Sequence, residues 1–151
     1  MAQGAEPVEE RKRWMSVLAR SGRAELEEAW SNLDDLPAED IVRAAETGTI
    51  LVEGRAGGTG ERFNLGDATV TRCAVRIGEH LGLAYTLGRD RVKATLAAKL
   101  DALLQDPTRR GHLMRSVILP LERGLAEVRE QSSRKAAATK VDFFTLVRGD
   151  E

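Results

Sequence analysis

The chain has 151 residues, 42% hydrophobic and 31% charged, the length and composition of one globular domain. Its 23 basic and 24 acidic side chains leave a formal charge of -1, which excludes a global field for holding a nucleic-acid backbone or an anionic membrane. That balance sums unlike parts: residues 1–53 carry 6 basic and 12 acidic groups, residues 54–93 carry 7 and 4, and residues 94–151 carry 10 and 8.

In chain order, Trp14, Val17 and Leu18 share one face of a helix expected over Val8 to Arg20, with Glu9 to Arg13 on its polar side. Ser21-Gly22 stops it, and a second short helix through Asn32 carries Leu26, Trp30 and Leu33. Residues 34–37 are turn chemistry that closes this helical hairpin. Ile41 to Ala45 suits either a helical turn or a strand and is read as a strand, because Glu46-Thr47-Gly48 reads as a turn and Thr49 to Arg55 as a second, β-branched strand; Ala56 to Gly66 is read as a loop. Nine of the 14 glycines lie between Gly48 and Gly88. Val70 to Ile77 and Leu81 to Leu87 alternate as two strands of an antiparallel hairpin through Gly78-Glu79-His80. Asp90 is placed to cap a helix with Val92, Leu96, Leu100, Leu103 and Leu104 on one stripe, and Asp106-Pro107 ends it and starts the next. The last helix is expected to reach about Ala137, with Leu113, Val117, Leu121, Leu125 and Val128 on one face. Pro120 should kink or split it. Val141 to Gly149 is an extended apolar tail that needs a sheet edge or a partner. The expected architecture is a single α+β domain over residues 1–151: an N-terminal helical hairpin, an antiparallel sheet of about three to five strands, two longer helices and a C-terminal strand.

The sequence offers little for covalent or metal chemistry. His80 and His112 stand on separate elements without ligand spacing, so His80 is read as a loop-tip residue and His112 as a helix-surface one. The single cysteine, Cys73, reads as a small core side chain and allows no intramolecular disulfide. No metal and no cofactor are expected. No apolar run approaches the roughly 20 residues that cross a bilayer, and no leader precedes the first helix, so a cytoplasmic protein is expected. Six aromatic residues, among them Phe143 and Phe144 in the tail, make a small core for which a partner is expected. The sharper feature is Arg55-Ala-Gly-Gly-Thr-Gly-Glu-Arg62. Its Gly57, Gly58 and Gly60 leave the backbone unobstructed, Thr59 adds a hydroxyl, and Arg55 and Arg62 add a guanidinium at each end, a set suited to a phosphate-like oxyanion. It lacks the Gly-Lys-Ser/Thr of a Walker loop. Arg72, Arg76 and Arg89 strengthen that set only if the strands bring them to the loop.

Several segments carry a resemblance. Trp14-Met-Ser-Val-Leu-Ala19, Arg43-Ala-Ala-Glu-Thr-Gly48, Gly57-Gly-Thr-Gly-Glu-Arg-Phe63, Gly66-Asp-Ala-Thr-Val-Thr-Arg72, Gly88-Arg-Asp90, Asp101-Ala-Leu103 and the tail from Val141 to Gly149 follow in order along nearly the whole chain. Together they resemble the PhnG family, the G subunit of the bacterial carbon-phosphorus lyase system. The resemblance implies a cytoplasmic protein of phosphonate catabolism that assembles with the H, I and J subunits. With the I, H and L subunits it would support displacement of adenine from ATP by methylphosphonate, giving alpha-D-ribose 1-methylphosphonate 5-triphosphate. The nucleosidase chemistry belongs in that family to the I subunit, so the chain would be an obligate partner without a catalytic residue or cofactor of its own. Trp14, Phe143, Phe144 and Arg148 are then expected at a partner interface, and Arg55, the 57–60 loop, Arg62 and Arg72 near a triphosphate or phosphonate. The alternative is a stand-alone enzyme acting on a phosphorylated small molecule, with Arg55, Arg62 and Arg72 on the phosphate and Asp67 or Glu61 as general base.

Overall fold

The computed structural model describes the backbone of residues 6–138 and the side chains of residues 8–138. Helices α1 (Glu6–Arg20) and α2 (Arg23–Ser31) are the two expected N-terminal helices, but both pack on the helix that follows the sheet rather than closing on each other as a hairpin. An antiparallel sheet follows in the order β1 (Glu39–Arg55), β2 (Arg62–Ile77) and β3 (His80–Leu87). Three helices close the described chain: α3 (Arg91–Gln105), α4 (Pro107–Leu113) and α5 (Leu119–Ala138). The fold is α+β, as the residue pattern implies, and among the described residues the sheet has three strands, within the expected range. The proposed C-terminal strand lies outside the described residues.

Helix α3 is the hub. Nine of its fifteen residues are buried, because it is sandwiched between the sheet and the helices α1, α2 and α4. Asp90 caps it by accepting the Lys93 amide at 2.9 Å, as its side-chain chemistry predicts. Small residues at Ala94, Ala98 and Ala102 let it lie directly on the sheet. At Gly82 the approach is so close that a Cβ would stand 1.9 Å from the Ala98 carbonyl oxygen, so only glycine fits there. Of its expected stripe, Leu96, Leu100, Leu103 and Leu104 are buried, whereas Val92 is exposed. The core is completed by Trp14, Val17 and Leu18 of α1, Leu26 of α2, and Cys73, Val75 and Ile77 of β2.

Asp106 accepts from the Thr108 amide and Pro107 opens α4, which agrees with the Asp-Pro reading. The split near Pro120 takes a specific form. A π-helical turn at Met114–Ile118 joins α4 to α5, with the Leu119 amide donating to the Met114 carbonyl. The widened turn falls just before the proline, which has no amide to donate, so the helix continues past it instead of stopping.

Two expectations in the sheet are corrected. Glu46-Thr47-Gly48 is not a turn; it lies inside one 17-residue strand, β1. Register shifts between Ile41 and Arg43 and between Arg43 and Glu46 absorb the irregularity there as bulges. The loop is also shorter than expected, because Arg62 to Gly66 belong to β2. Gly66, at φ +134°, sits at a further bulge where Val52 pairs with Gly66 and Glu53 already pairs with Asn64. Glycine inside a strand marks a bulge as readily as a loop.

Candidate functional site

β3 pairs only with Val70–Ile77 of β2, whereas β1 and β2 stay paired to Arg55 and Arg62. Residues 48–70 therefore project beyond the core as a two-stranded ribbon. Its two faces differ. Register and alternation put Ile50, Val52, Phe63, Ala68 and Val70 on the face turned away from α3. Leu65 joins them, because its side chain fills the space over Gly54. Thr49, Leu51, Glu53, Arg55, Arg62, Asn64, Asp67 and Thr69 occupy the other face. Val70, at the root, is buried, but toward the tip this apolar face is open among the described residues: Ile50 is 44% exposed, Phe63 47% and Leu65 62%, and Leu87 of β3 flanks it at 71%.

A polar row ends this apolar stripe at the root of the ribbon. Arg72 pairs in register with Glu46 on one side and Tyr85 on the other, and its Nε donates to Glu46 Oε1 at 2.7 Å. The Arg72 hydrogen bond and charge hold the Glu46 carboxyl below its ordinary pKa, with Arg43 adding to the effect.

The expected oxyanion set is only partly assembled. Arg55 and Arg62 face each other at the tip, beside a 3-10 turn at Ala56–Gly58. Gly57 and Gly58 take φ +58° and +84° with open space around them, so they serve the turn. The Thr59 and Gly60 amides both donate to the Ala56 carbonyl, Arg55 reaches the Gly60 carbonyl, and Arg62 lies 4.0 Å from Glu53. Arg72 is ten residues along β2 from Arg62, on the order of 30 Å away in an extended strand. Neither Arg72 nor Arg76 meets the tip.

Trp14, expected at a partner interface, lies in the core of the chain itself. It is 1% exposed, and its Nε1 donates to Asp101 Oδ1 at 2.8 Å. Asp101, itself fully buried, also accepts from the Leu83 amide at 2.9 Å and pairs with Arg11 at 2.8 Å, so it joins α1, β3 and α3. Sequence reasoning missed this cluster, since nothing in the spacing of Arg11, Trp14 and Asp101 relates them. Phe143, Phe144 and Arg148 lie outside the described residues. His112 is exposed and Cys73 is buried, in keeping with their readings, whereas His80, read as a loop-tip residue, is the first residue of β3 and pairs with Ile77. Among the described residues no three His, Cys, Asp or Glu side chains gather at one place, and no helix is long and apolar enough to cross a membrane.

An α+β chain that presents a one-sided apolar ribbon, with its candidate phosphate ligands dispersed along it, has the make-up of an assembly subunit. The chain belongs to the PhnG family: the family model described as "Phosphonate metabolism protein PhnG" matches residues 9–149. It is 43% identical over 148 residues, covering 95% of this chain and 92% of the relative, to a Rhizobium meliloti (strain 1021) protein named "Alpha-D-ribose 1-methylphosphonate 5-triphosphate synthase subunit PhnG".

Proposed function

We propose that the chain is a subunit of alpha-D-ribose 1-methylphosphonate 5-triphosphate synthase, acting in the cytoplasm by assembly with the I, H, J and L subunits of the carbon-phosphorus lyase system. The name of the Rhizobium relative directs the reading to this synthase. What carries the subunit role is the uncovered apolar face of Ile50, Val52, Phe63, Leu65 and Leu87. A two-stranded ribbon is marginally stable in water by itself, and burial of this face on a larger subunit would stabilise it. The I subunit is the proposed occupant, and residues 141–149, with Phe143, Phe144 and Arg148, would add to the same docking.

The chemistry of exchange at the ribose would then belong to the partner, while this chain shapes the site from outside. The stand-alone enzyme has less in its favour, because Arg72 is far from Arg55 and Arg62 and is already paired with Glu46. The tip with Arg55, Gly57, Gly58, Thr59, Gly60 and Arg62 is proposed as the part of the ribbon that reaches furthest toward the partner and its phosphate-bearing substrate.

The test is co-expression with the I subunit. Ile50→Asp combined with Phe63→Asp should leave the chain folded by circular dichroism yet abolish co-purification and synthase activity. An intact complex from this variant would sink the ribbon-docking reading.

A further inference from the structure

We propose that the groove where β1 and β2 meet the start of α3 binds the polyphosphate group of a small molecule, held by Arg89 and Arg91. The proposal rests on the synthase reading only for the choice of a triphosphate. The groove has a volume of about 530 Å³ and is lined by Thr47, Gly48, Thr49, Thr69, Arg89 and Arg91. This volume lies within the ordinary range for small-molecule sites.

The lining is built from three elements. Thr47 is paired in register with Thr71, and Thr49 with Thr69, so four threonines form a ladder on the sheet face that α3 covers. Thr71 is fully buried and donates to the Gly88 carbonyl at 2.8 Å. Its oxygen is thus the acceptor in the 3.1 Å contact with Thr47, which fixes that rung. The helix begins just past this point, and the Thr49 and Thr69 hydroxyls make no hydrogen bond to any described residue.

Charge completes the site. Arg89 and Arg91 form no ion pair among the described residues, whereas Arg11, Arg13, Arg23, Arg43, Arg72 and Arg110 each hold a carboxylate. Asp90 stands between them in sequence, but it is engaged in capping the Lys93 amide. No carboxylate lines the groove. The nearest acidic position on that face of β2 is Asp67, two residues beyond Thr69, which would bound the anion on that side. Two free guanidiniums facing free hydroxyls suit phosphoryl oxygens, which arginine binds in bidentate fashion and threonine by donating its hydroxyl.

Calorimetric titration of the full chain with sodium tripolyphosphate, and separately with ATP, tests this. Saturable binding of one tripolyphosphate is expected. Arg89→Ala with Arg91→Ala should weaken it by roughly a hundredfold, and Thr49→Val with Thr69→Val by roughly tenfold. Arg123→Ala, on α5, should leave it unchanged. Failure of the wild type to bind millimolar tripolyphosphate overturns the proposal, as does a double-arginine variant that binds as well as the wild type. If the wild type does not bind and the arginine variant instead loses its partner subunit, the arginines hold an acidic protein segment, and the polyphosphate site is refuted. Because binding is read on the chain alone, failure here is separable from failure of the synthase reading, which co-purification and activity report.

Discussion

Asp101 ties three elements of the described structure together. It satisfies the buried Trp14 indole, the Leu83 amide and the Arg11 guanidinium together, and no buried side-chain polar atom among the described residues lacks a partner. Asp101→Ala removes the acceptor from all three. The expected loss is about 3 kcal/mol of stability, read from the urea midpoint, with Asp101→Asn recovering part of it because its amide oxygen still accepts. An alanine variant as stable as the wild type would show that the cluster is ornamental. At this scale the sequence was informative about caps and poor about partners: Asp90 and Asp106 declare themselves by the residues that follow, while Arg11 and Asp101, 90 positions apart, meet only through packing.

Among the elements, the helices were the easiest to read and β1–β2 the hardest. Helical stripes repeat over many turns, so Leu96 to Leu104 point inward however the rest of the chain is arranged. The ribbon's alternation is broken by glycines at 48, 54 and 66, each of which also suits a turn, and its apolar face is visible only once the Gly66 bulge sets the register. The structure divides the sheet into a covered part, next to α3, and an uncovered part from residue 48 to residue 70. Local opening of the uncovered part exposes little buried surface, so its amides should exchange with solvent well before those of Val75 and Ala84. Hydrogen exchange followed by mass spectrometry reads this directly, and partner binding should slow the ribbon most. Equal protection in both parts of the sheet would mean that the ribbon is held by something within the chain.

The molecule as a whole is fastened by ion pairs at its surface and by α3 within. Arg13 of α1 meets Glu122 of α5 at 2.6 Å, and its hydrogen bond holds the Glu122 carboxyl below its ordinary pKa. The Thr108 hydroxyl and amide do the same for Asp106, and Arg72 for Glu46. A carboxyl whose pKa is depressed by folding contributes stability above its unfolded value and loses it as the pH falls through the folded one. Melting temperature should therefore be insensitive to these groups from neutrality down to about pH 4 and fall below that, modestly and less so in high salt, because the pairs are exposed. A melting temperature that rises on acidification below pH 4 would contradict this. The class of the fold was legible from the alternation of patterns along the chain; the division into a packed body and a projecting arm was not, since it depends on where β3 ends against β2. That arm has a consequence for supply in the cell. Among the described residues nothing pairs with the outer edge of β1, whose stretch from Thr47 to Val52 carries no charge and no proline to discourage a neighbour. We predict that copies made in excess of a partner subunit pair through this edge, so that unbalanced expression gives homo-oligomers on size-exclusion chromatography and balanced expression does not.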